Sequence, residues 1–190
     1  MSTLRIGWIG CGTHANEMLL PQIMRYDVRI AALCDTDDTR LGQTGQRFGV
    51  AEADRVKDWR SIIARSDIDA VAIAAGPAAH VEFGTAALDR GLPVFAEKPP
   101  AATAAQAEQL AASARGAGKP LVLGFMKRYA TANRIAANVV HGTAFGTPAS
   151  FLGQYMTAPT YFTEDPDYTA GLSHMAQHFE QERVVPSCAF

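Results

Sequence analysis

A glycine-rich turn near the start of the sequence has the residue types and the spacing of an anion-binding loop. The apolar run Leu4–Ile9 leads into Gly10-x-Gly12-x-x-Ala15. Gly10 can adopt backbone angles that a β-carbon forbids, and Gly12 leaves room for a pyrophosphate to approach the main chain. The small Ala15 lets the following helix pack closely on the strand, so that the free N–H groups of the helix face the anion. The pattern predicts a dinucleotide site, and its candidate residues are Gly10, Gly12, Thr13, His14 and Ala15.

An acidic residue, Asp35, follows the next predicted strand, about 20 residues beyond the glycine loop. A carboxylate at that place can accept hydrogen bonds from both ribose hydroxyls of an adenosine. It would also repel a 2′-phosphate by roughly 4 kcal/mol, for a separation of about 4 Å and an effective dielectric constant of about 20. The pattern favours NAD over NADP, although Arg40 leaves room for the phosphate. The alternative is that Asp35 only caps the turn into the next helix.

Lys98 is the third candidate, in the stretch Phe95-Ala-Glu-Lys-Pro-Pro100. A predicted strand ends there, and an acidic residue, a basic residue and proline form a corner after it. This places Lys98 at the carboxyl edge of the sheet, where doubly wound folds bind ligands. An ammonium group at this edge could stabilise a developing alkoxide or relay a proton. The competing interpretation is a solvated loop lysine.

The remaining histidines do not form a metal-binding pattern. His174 and His178 have the spacing of metal ligands on a helix, but no third nitrogen, sulfur or carboxylate ligand is evident in the sequence. We therefore expect no metal site. His14 and His141 look like turn residues. The alternative to a cofactor-binding role for His14 is therefore that it only forms part of a turn.

Composition and charge exclude several classes of protein. The 190 residues carry a formal net charge of −2 with interspersed signs, and no basic tract suits a nucleic acid. No apolar run approaches the roughly 20 residues that span a bilayer, and the N-terminus makes a poor signal peptide. The cysteines, which are Cys11, Cys34 and Cys188, are few, odd in number and far apart. Buried reduced thiols in a cytoplasmic protein are therefore expected.

Apolar runs and helical patterns alternate along the chain up to about residue 125. The predicted strands are Leu4–Ile9, Val28–Cys34, Ala70–Ala75, Pro93–Ala96 and Leu121–Gly124. The predicted helices are Glu17–Arg25 with an interruption near Pro21, Asp38–Phe48, Ala78–Arg90 and Ala102–Ala117. The mixed stretch Val56–Ser66 predicts a turn with a short helix around Trp59. Strands separated by helices must pair in parallel, so the fold class is α/β, a Rossmann doubly wound sheet.

The pattern changes after Phe125. Tyr129–Val140 predicts a further helix, and Ser150–Met156 alternates like a half-exposed strand of a different sheet. We therefore expect a Rossmann domain over residues 1–125. Residues 126–190 are expected to belong to a second domain with a different kind of sheet.

Several of these segments together resemble the glucose–fructose oxidoreductase, inositol dehydrogenase and MocA (Gfo/Idh/MocA) family. They are the glycine loop, Asp35, Ile73-Ala-Ala-Gly-Pro-Ala-Ala-His80, the Glu97-Lys98-Pro99 corner and Gly124-Phe-Met-Lys-Arg-Tyr129. The resemblance covers residues 4 to about 178. It implies an NAD(P)-binding Rossmann domain followed, over residues 126–190, by the incomplete start of an α+β antiparallel-sheet domain that holds a sugar, a cyclitol or a related polyol.

The resemblance also implies roles for individual residues. Lys98 would lie beside the nicotinamide and the reacting hydroxyl, and Arg128 near the domain junction. Further cofactor-binding positions are Ala75, Gly76, Pro77, His80 and Glu97, where His80 packs or caps rather than reacts. The family has Asp-x-x-x-His on a later helix, whose histidine is the general base. His178 matches this histidine, whereas His174 replaces the aspartate, and a surface histidine is the alternative for His178.

The expected function is hydride transfer between NAD(P) and a secondary hydroxyl of a sugar, cyclitol or polyol. The family continues well past this sequence, so we expect a truncated chain or a fragment that lacks much of the substrate pocket and could be inactive. An incomplete sheet with open edges allows self-association, which makes a homo-oligomer a possible partner besides the small-molecule substrate. The alternative is a dinucleotide-binding remnant or sensor module without catalysis.

Overall fold

One parallel sheet organises the computed structural model, which describes residues 3–150 and residue 152. Six strands pair within this part of the chain, in the order β3–β2–β1–β4–β5–β6. The strands are β1 (Leu4–Ile9), β2 (Val28–Cys34), β3 (Arg55–Val56), β4 (Ala70–Ile73), β5 (Val94–Ala96) and β6 (Leu121–Leu123). The order reverses at β1, so the carboxyl ends of β1 and β4 flank the crevice in which doubly wound sheets bind ligands.

Helices connect the strands and cover the sheet. The α-helices are α1 (Leu20–Ile23), α2 (Asp38–Arg47), α3 (Trp59–Ile63), α4 (Pro77–Asp89), α5 (Ala104–Ala117) and α6 (Thr131–Val140). The shorter helical segments are a π-helical turn, Ala15–Leu19, and two 3₁₀ turns, Glu52–Asp54 and Met126–Tyr129. None of the described helices is both long enough and apolar enough to cross a membrane.

Two apolar clusters form the core because the parallel strands are buried on both faces. One cluster joins β1 to the first two helices through buried residues such as Trp8, Leu20 and Leu41. The other joins the sheet to α4 and α5 through residues such as Leu88 and Leu110. These clusters fix the strand ends, from which the candidate site residues project.

The predicted doubly wound parallel sheet is confirmed, and the element bounds either match the predictions, as in β1 and β2, or differ from them by one to three residues. One expected turn contains a strand, because Arg55–Val56 pairs with Leu33 and Cys34 at the edge of the sheet. A two-residue strand has no hydrophobic period that a sequence pattern could reveal. The predicted strand Ser150–Met156 lies outside the described residues except at its first position and at Leu152.

The predicted interruption near Pro21 takes the form of the π-helical turn directly before it. Proline has no N–H, so Pro21 cannot donate to the carbonyl of Glu17 as a regular α-helix requires. The Leu20 N–H instead bonds the Ala15 carbonyl, five residues back. The helix that follows the glycine loop is therefore wider than an α-helix in its first turns.

The chain divides into two compact units, Met1–Met126 and Lys127–Phe190. The first unit contains the whole parallel sheet. In the second unit the structure describes α6, on which Ile135 and Val139 are more than half exposed. The two units are described separately.

Candidate functional site

The glycine loop begins at the carboxyl end of β1 and is fixed by backbone geometry. Gly10 has a φ of 100°, and a Cβ at this position would collide with the carbonyl group of Ala74. The Gly10 N–H donates to the Cys34 carbonyl at 2.8 Å, and the Trp8 indole N–H donates to the Gly10 carbonyl at 2.7 Å. These hydrogen bonds join the loop to β2 and β1, and the close approach to Ala74 places it beside the end of β4, so its backbone is preorganised for a ligand.

Gly12 faces open space, since a Cβ at this position would meet no protein atom within 4 Å. Thr13 and His14 are exposed in the first helical turn, whereas Ala15 is buried against the core. The main chain at Gly12 is therefore accessible, and the helix packs closely beside it. This arrangement fits the approach of a pyrophosphate to backbone N–H groups.

Asp35 connects the loop after β1 to the turn after β2. Its Oδ2 atom accepts a hydrogen bond from the Cys11 N–H at 2.6 Å, and its Oδ1 atom accepts one from the Asp37 N–H at 2.9 Å. The N-cap of α2 is Asp37, whose carboxylate accepts from the N–H groups of Thr39 and Arg40. Each carboxylate oxygen of Asp35 can accept further hydrogen bonds, such as those from ribose hydroxyls.

A cavity of about 350 Å³ adjoins the glycine loop and one side of α2. Its lining is polar, with Cys11, Thr13, Asn16, Glu17, Arg40, Gln43, Thr44 and Arg47. Asn16 donates to the Cys11 carbonyl at 2.8 Å and to the Thr44 hydroxyl at 3.0 Å, and so ties the loop to α2. Sequence reasoning missed Asn16 and Thr44 because their contact depends on the packing of two helices.

The turn after β4 lies at the switch point of the sheet. The Ala74 N–H donates to the Ile9 carbonyl at 2.8 Å, which holds this turn beside the glycine loop. Ala75 and Gly76 are exposed, Gly76 caps the start of α4, and Pro77 occupies its first turn. Two candidate segments far apart in sequence therefore meet at one edge of the sheet.

His80 lies at the next turn of α4 and is fully buried. Its Nδ1 atom is 2.8 Å from the Pro99 carbonyl oxygen, and its Nε2 atom is buried without a hydrogen-bond partner. Burial lowers the pKa of His80, against the opposing effects of the Pro99 carbonyl and the Glu97 charge. His80 is therefore a neutral imidazole inside the protein.

The corner after β5 places a buried carboxylate beside an exposed ammonium. Glu97 is 6% exposed, and its Oε2 atom accepts a hydrogen bond from the Lys98 N–H at 3.0 Å. Its Oε1 atom lies 3.7 Å from Nε2 of His14, in the glycine loop. Burial alone would raise the pKa of Glu97, but the nearby His14 and the hydrogen bond from the Lys98 N–H lower it below its usual range. Glu97 is therefore an anion that connects the corner to the loop, with Lys98 on the surface.

The remaining predicted residues are the cysteines, Arg128 and the two later histidines. Cys11 and Cys34 are buried free thiols, as predicted, and burial raises the pKa of each to about 12. Arg128 lies in the 3₁₀ turn Met126–Tyr129 and is exposed. His174, His178 and Cys188 are outside the described residues.

The glycine loop, Asp35, the β4 turn and the Lys98 corner thus share the carboxyl edge of a parallel sheet. A dinucleotide fits this edge on two grounds, the open approach at Gly12 and the carboxylate at the end of β2. A basic side chain at the far end of the same edge, Lys98, could act on a reacting hydroxyl.

Comparison with known proteins gives a consistent result. Residues 4–125 match the Gfo/Idh/MocA oxidoreductase family, described as having an NAD-binding Rossmann fold. An inositol 2-dehydrogenase from Salmonella typhimurium is 29% identical over 160 residues, 83% of this chain and 47% of that protein. The chain spans about half the length of the curated relatives it matches.

Solved structures of oxidoreductases also match the chain over part of their length. An aldose–aldose oxidoreductase from Caulobacter crescentus, complexed with glycerol, has a TM-score of 0.65 and 28% identity, covering 73% of this chain and 42% of that one. A 3-ketoreductase from Actinomadura kijaniata, in complex with NADP and TDP-benzene, has a TM-score of 0.65 and 31% identity. That match covers 72% of this chain and 41% of the reductase.

Proposed function

The chain belongs to the Gfo/Idh/MocA oxidoreductase family, and from this premise we propose that it binds NAD and transfers a hydride between NAD and a secondary hydroxyl. The substrate class we propose is a sugar, a cyclitol or a related polyol. One observation carries the proposal. The accessible backbone at Gly12, the Asp35 carboxylate and the Lys98 ammonium all lie along the carboxyl edge of a sheet with the strand order 3-2-1-4-5-6.

In this proposal the glycine loop binds the pyrophosphate through its main chain. Gly10 sets the turn, Gly12 admits the ligand, and the first helical turn (Thr13, His14, Ala15) offers N–H groups. The accessibility of Gly12 and the burial of Ala15 support these roles.

Asp35 accepts hydrogen bonds from the adenosine ribose, and its charge disfavours the 2′-phosphate of NADP. Arg40 and Arg47 line the adjoining cavity and act in the opposite direction, and a structural relative binds NADP. We favour NAD because the Asp35 carboxylate is fixed by two N–H groups at the end of β2, where it would face the ribose.

The nicotinamide half extends along the β4 turn toward the corner after β5. Ala75, Gly76 and Pro77 form the near wall, and Glu97 and Lys98 form the far end of this path. The exposure of Ala75, Gly76 and Lys98 at the same edge supports the assignment. His80 and Glu97 are buried.

When bound, NAD supplies the acceptor for a hydride from the carbon that carries the hydroxyl. Lys98 stabilises the negative charge that develops on the hydroxyl oxygen as its proton leaves. His178 accepts that proton, a role that rests on the family resemblance. Two similar proteins are named inositol 2-dehydrogenase and aldose–aldose oxidoreductase, and these names support the substrate class.

A cytoplasmic location and self-association into a homo-oligomer belong to the same proposal. The buried free thiols Cys11 and Cys34 are typical of a reducing compartment and support the location. The oligomer rests on the expectation of open sheet edges, and its test is the mass of the particle in solution.

A screen of sugars, cyclitols and polyols with NAD tests the catalytic part, with NADH formation followed by absorbance. We expect turnover of at least one compound, and we expect Lys98→Met to reduce kcat by about 100-fold or more because the alkoxide loses its counter-charge. Lys119→Met is the matched control, since Lys119 is an exposed lysine that precedes β6 at the opposite edge of the sheet.

Two results would contradict the proposal in different ways. Binding of NADH without turnover of any compound would favour the dinucleotide-binding module over the enzyme. Equal turnover by Lys98→Met and Lys119→Met would remove Lys98 from the reaction.

A further inference from the structure

The carbonyl of Pro99 is held by a side chain from another element. The Nδ1 atom of His80, on α4, lies 2.8 Å from this carbonyl oxygen, 19 residues along the chain. A carbonyl only accepts hydrogen bonds, so Nδ1 carries the hydrogen and His80 is the donor. In the neutral imidazole Nε2 is then an acceptor, and it is buried without a partner.

The corner after β5 needs such a donor because of its sequence. Pro99 and Pro100 have no N–H, so among residues 98–100 the sole backbone N–H belongs to Lys98. That N–H is bonded to the Glu97 carboxylate. Two of these three residues have no N–H to donate to a neighbouring strand, whereas a side-chain donor can fix one of their carbonyls.

His80 itself is placed too deep for chemistry on a ligand. Its side chain is fully buried, and burial lowers its pKa, so it remains neutral near neutral pH. It neither supplies a charge nor reaches solvent. It instead contacts the corner at Pro99, the residue next to Lys98.

We propose that His80 is a positioning residue, whose Nδ1–H fixes the Pro99 carbonyl and thereby holds the adjacent Lys98 where the nicotinamide half of the dinucleotide binds. This inference rests on the proposed function. Without the donor the Pro99 carbonyl would turn toward water, and Lys98 would leave its place at the edge of the sheet.

Three substitutions at His80 separate the donor from the bulk of the side chain. The amide nitrogen of asparagine occupies the place of Nδ1, and the amide of glutamine reaches the place of Nε2. His80→Asn therefore keeps a donor for Pro99, whereas His80→Gln and His80→Leu remove it. The two amide variants match in polarity, so they differ chiefly in where the donor lies.

Two ligands separate a local effect from a general loss of structure. NADH reaches the Lys98 corner, whereas ADP-ribose lacks the nicotinamide and reaches only the glycine loop and Asp35. We expect His80→Gln and His80→Leu to weaken NADH binding by about tenfold and to change ADP-ribose binding by less than about twofold. His80→Asn should bind both ligands nearly as well as the wild type does.

A double substitution tests whether His80 acts through Lys98. If it does, adding His80→Gln to Lys98→Met should weaken NADH binding no further, because the ammonium that His80 positions is already absent. Additive losses would overturn the inference.

The binding results of the single variants also decide whether His80 positions Lys98. Equal losses for NADH and ADP-ribose, or equal binding of NADH by the asparagine and glutamine variants, would show a role in general structure and overturn the inference. If His80→Leu does not fold, the two amide variants still give this comparison. A wild-type chain that binds neither ligand would instead overturn the proposed function, and the inference with it.

Discussion

At the scale of single residues, Asp35 has a structural and a proposed ligand-binding role in the same carboxylate. Its two oxygens accept hydrogen bonds from the Cys11 and Asp37 N–H groups. It therefore fixes the glycine loop, and in the proposal it also binds the ribose. Hydrogen bonds to a charged acceptor are stronger than neutral ones. The residue therefore couples the shape of the glycine loop to the recognition of the ribose.

Removal of this carboxylate should change the choice of cofactor. We expect Asp35→Ala to weaken NADH binding by about tenfold through lost hydrogen bonds. NADPH binding should weaken less or improve, because the repulsion of the 2′-phosphate disappears. Fluorescence titration with both cofactors gives the ratio of their affinities, which should shift toward NADPH.

Glu82→Gln is the control for charge, since Glu82 is an exposed acidic residue of α4 that pairs with Arg60. It should leave the ratio of affinities unchanged. A ratio that Asp35→Ala also leaves unchanged would show that Asp35 does not select the cofactor.

The candidate residues of the glycine loop could be predicted because a glycine motif acts through local backbone geometry. The proximity of His14 to Glu97 and the contact of His80 with Pro99 could not. Each joins segments that meet only when the strands pair, and no short-range pattern records which strand ends are neighbours.

At the scale of elements, the start of α5 anchors the chain directly after the Lys98 corner. Thr103 and Gln106 form a capping box, in which the Thr103 hydroxyl accepts from the Gln106 N–H and the Gln106 side chain accepts from the Thr103 N–H, each at 3.2 Å. The same Gln106 oxygen accepts from the Ala102 N–H. These bonds satisfy N–H groups that the first helical turn leaves unpaired.

Loss of this cap should destabilise the first unit. We expect Thr103→Ala to lower the free energy of unfolding by about 1 kcal/mol, measured by urea denaturation. Ser113→Ala is the control within the same helix, since its hydroxyl donates to the Gln109 carbonyl and caps nothing. It should change the free energy by less than about 0.5 kcal/mol. Equal effects of the two substitutions would contradict the role of the cap.

The long elements were predictable because each has a clear apolar period or run, such as β2 and α5. The short ones were not. Arg55–Val56 becomes a strand through its pairing with β2, and the π-helical turn before Pro21 depends on how that helix packs. Tertiary contacts decide elements of this length.

At the scale of the whole molecule, the order of the strands brings the separate candidate segments together. The order reverses at β1, so the turns after β1, β2 and β4 and the corner after β5 share one edge. The alternation of strands and helices predicts a parallel sheet, but the neighbours of each strand come from the structure. The formal net charge of −2 offers no general attraction for a phosphate. Binding at this edge would therefore depend on the backbone N–H groups of the loop.

The most direct test of the dinucleotide site is NADH binding by Gly12→Val, measured together with thermal unfolding. The protein leaves open space at this position and its φ lies outside the left-handed region, so the substitution should preserve the midpoint of unfolding. Gly116→Val, at a second glycine with open space, is the control. We predict that Gly12→Val abolishes NADH binding while Gly116→Val retains it. Wild-type binding by a folded Gly12→Val would contradict the account.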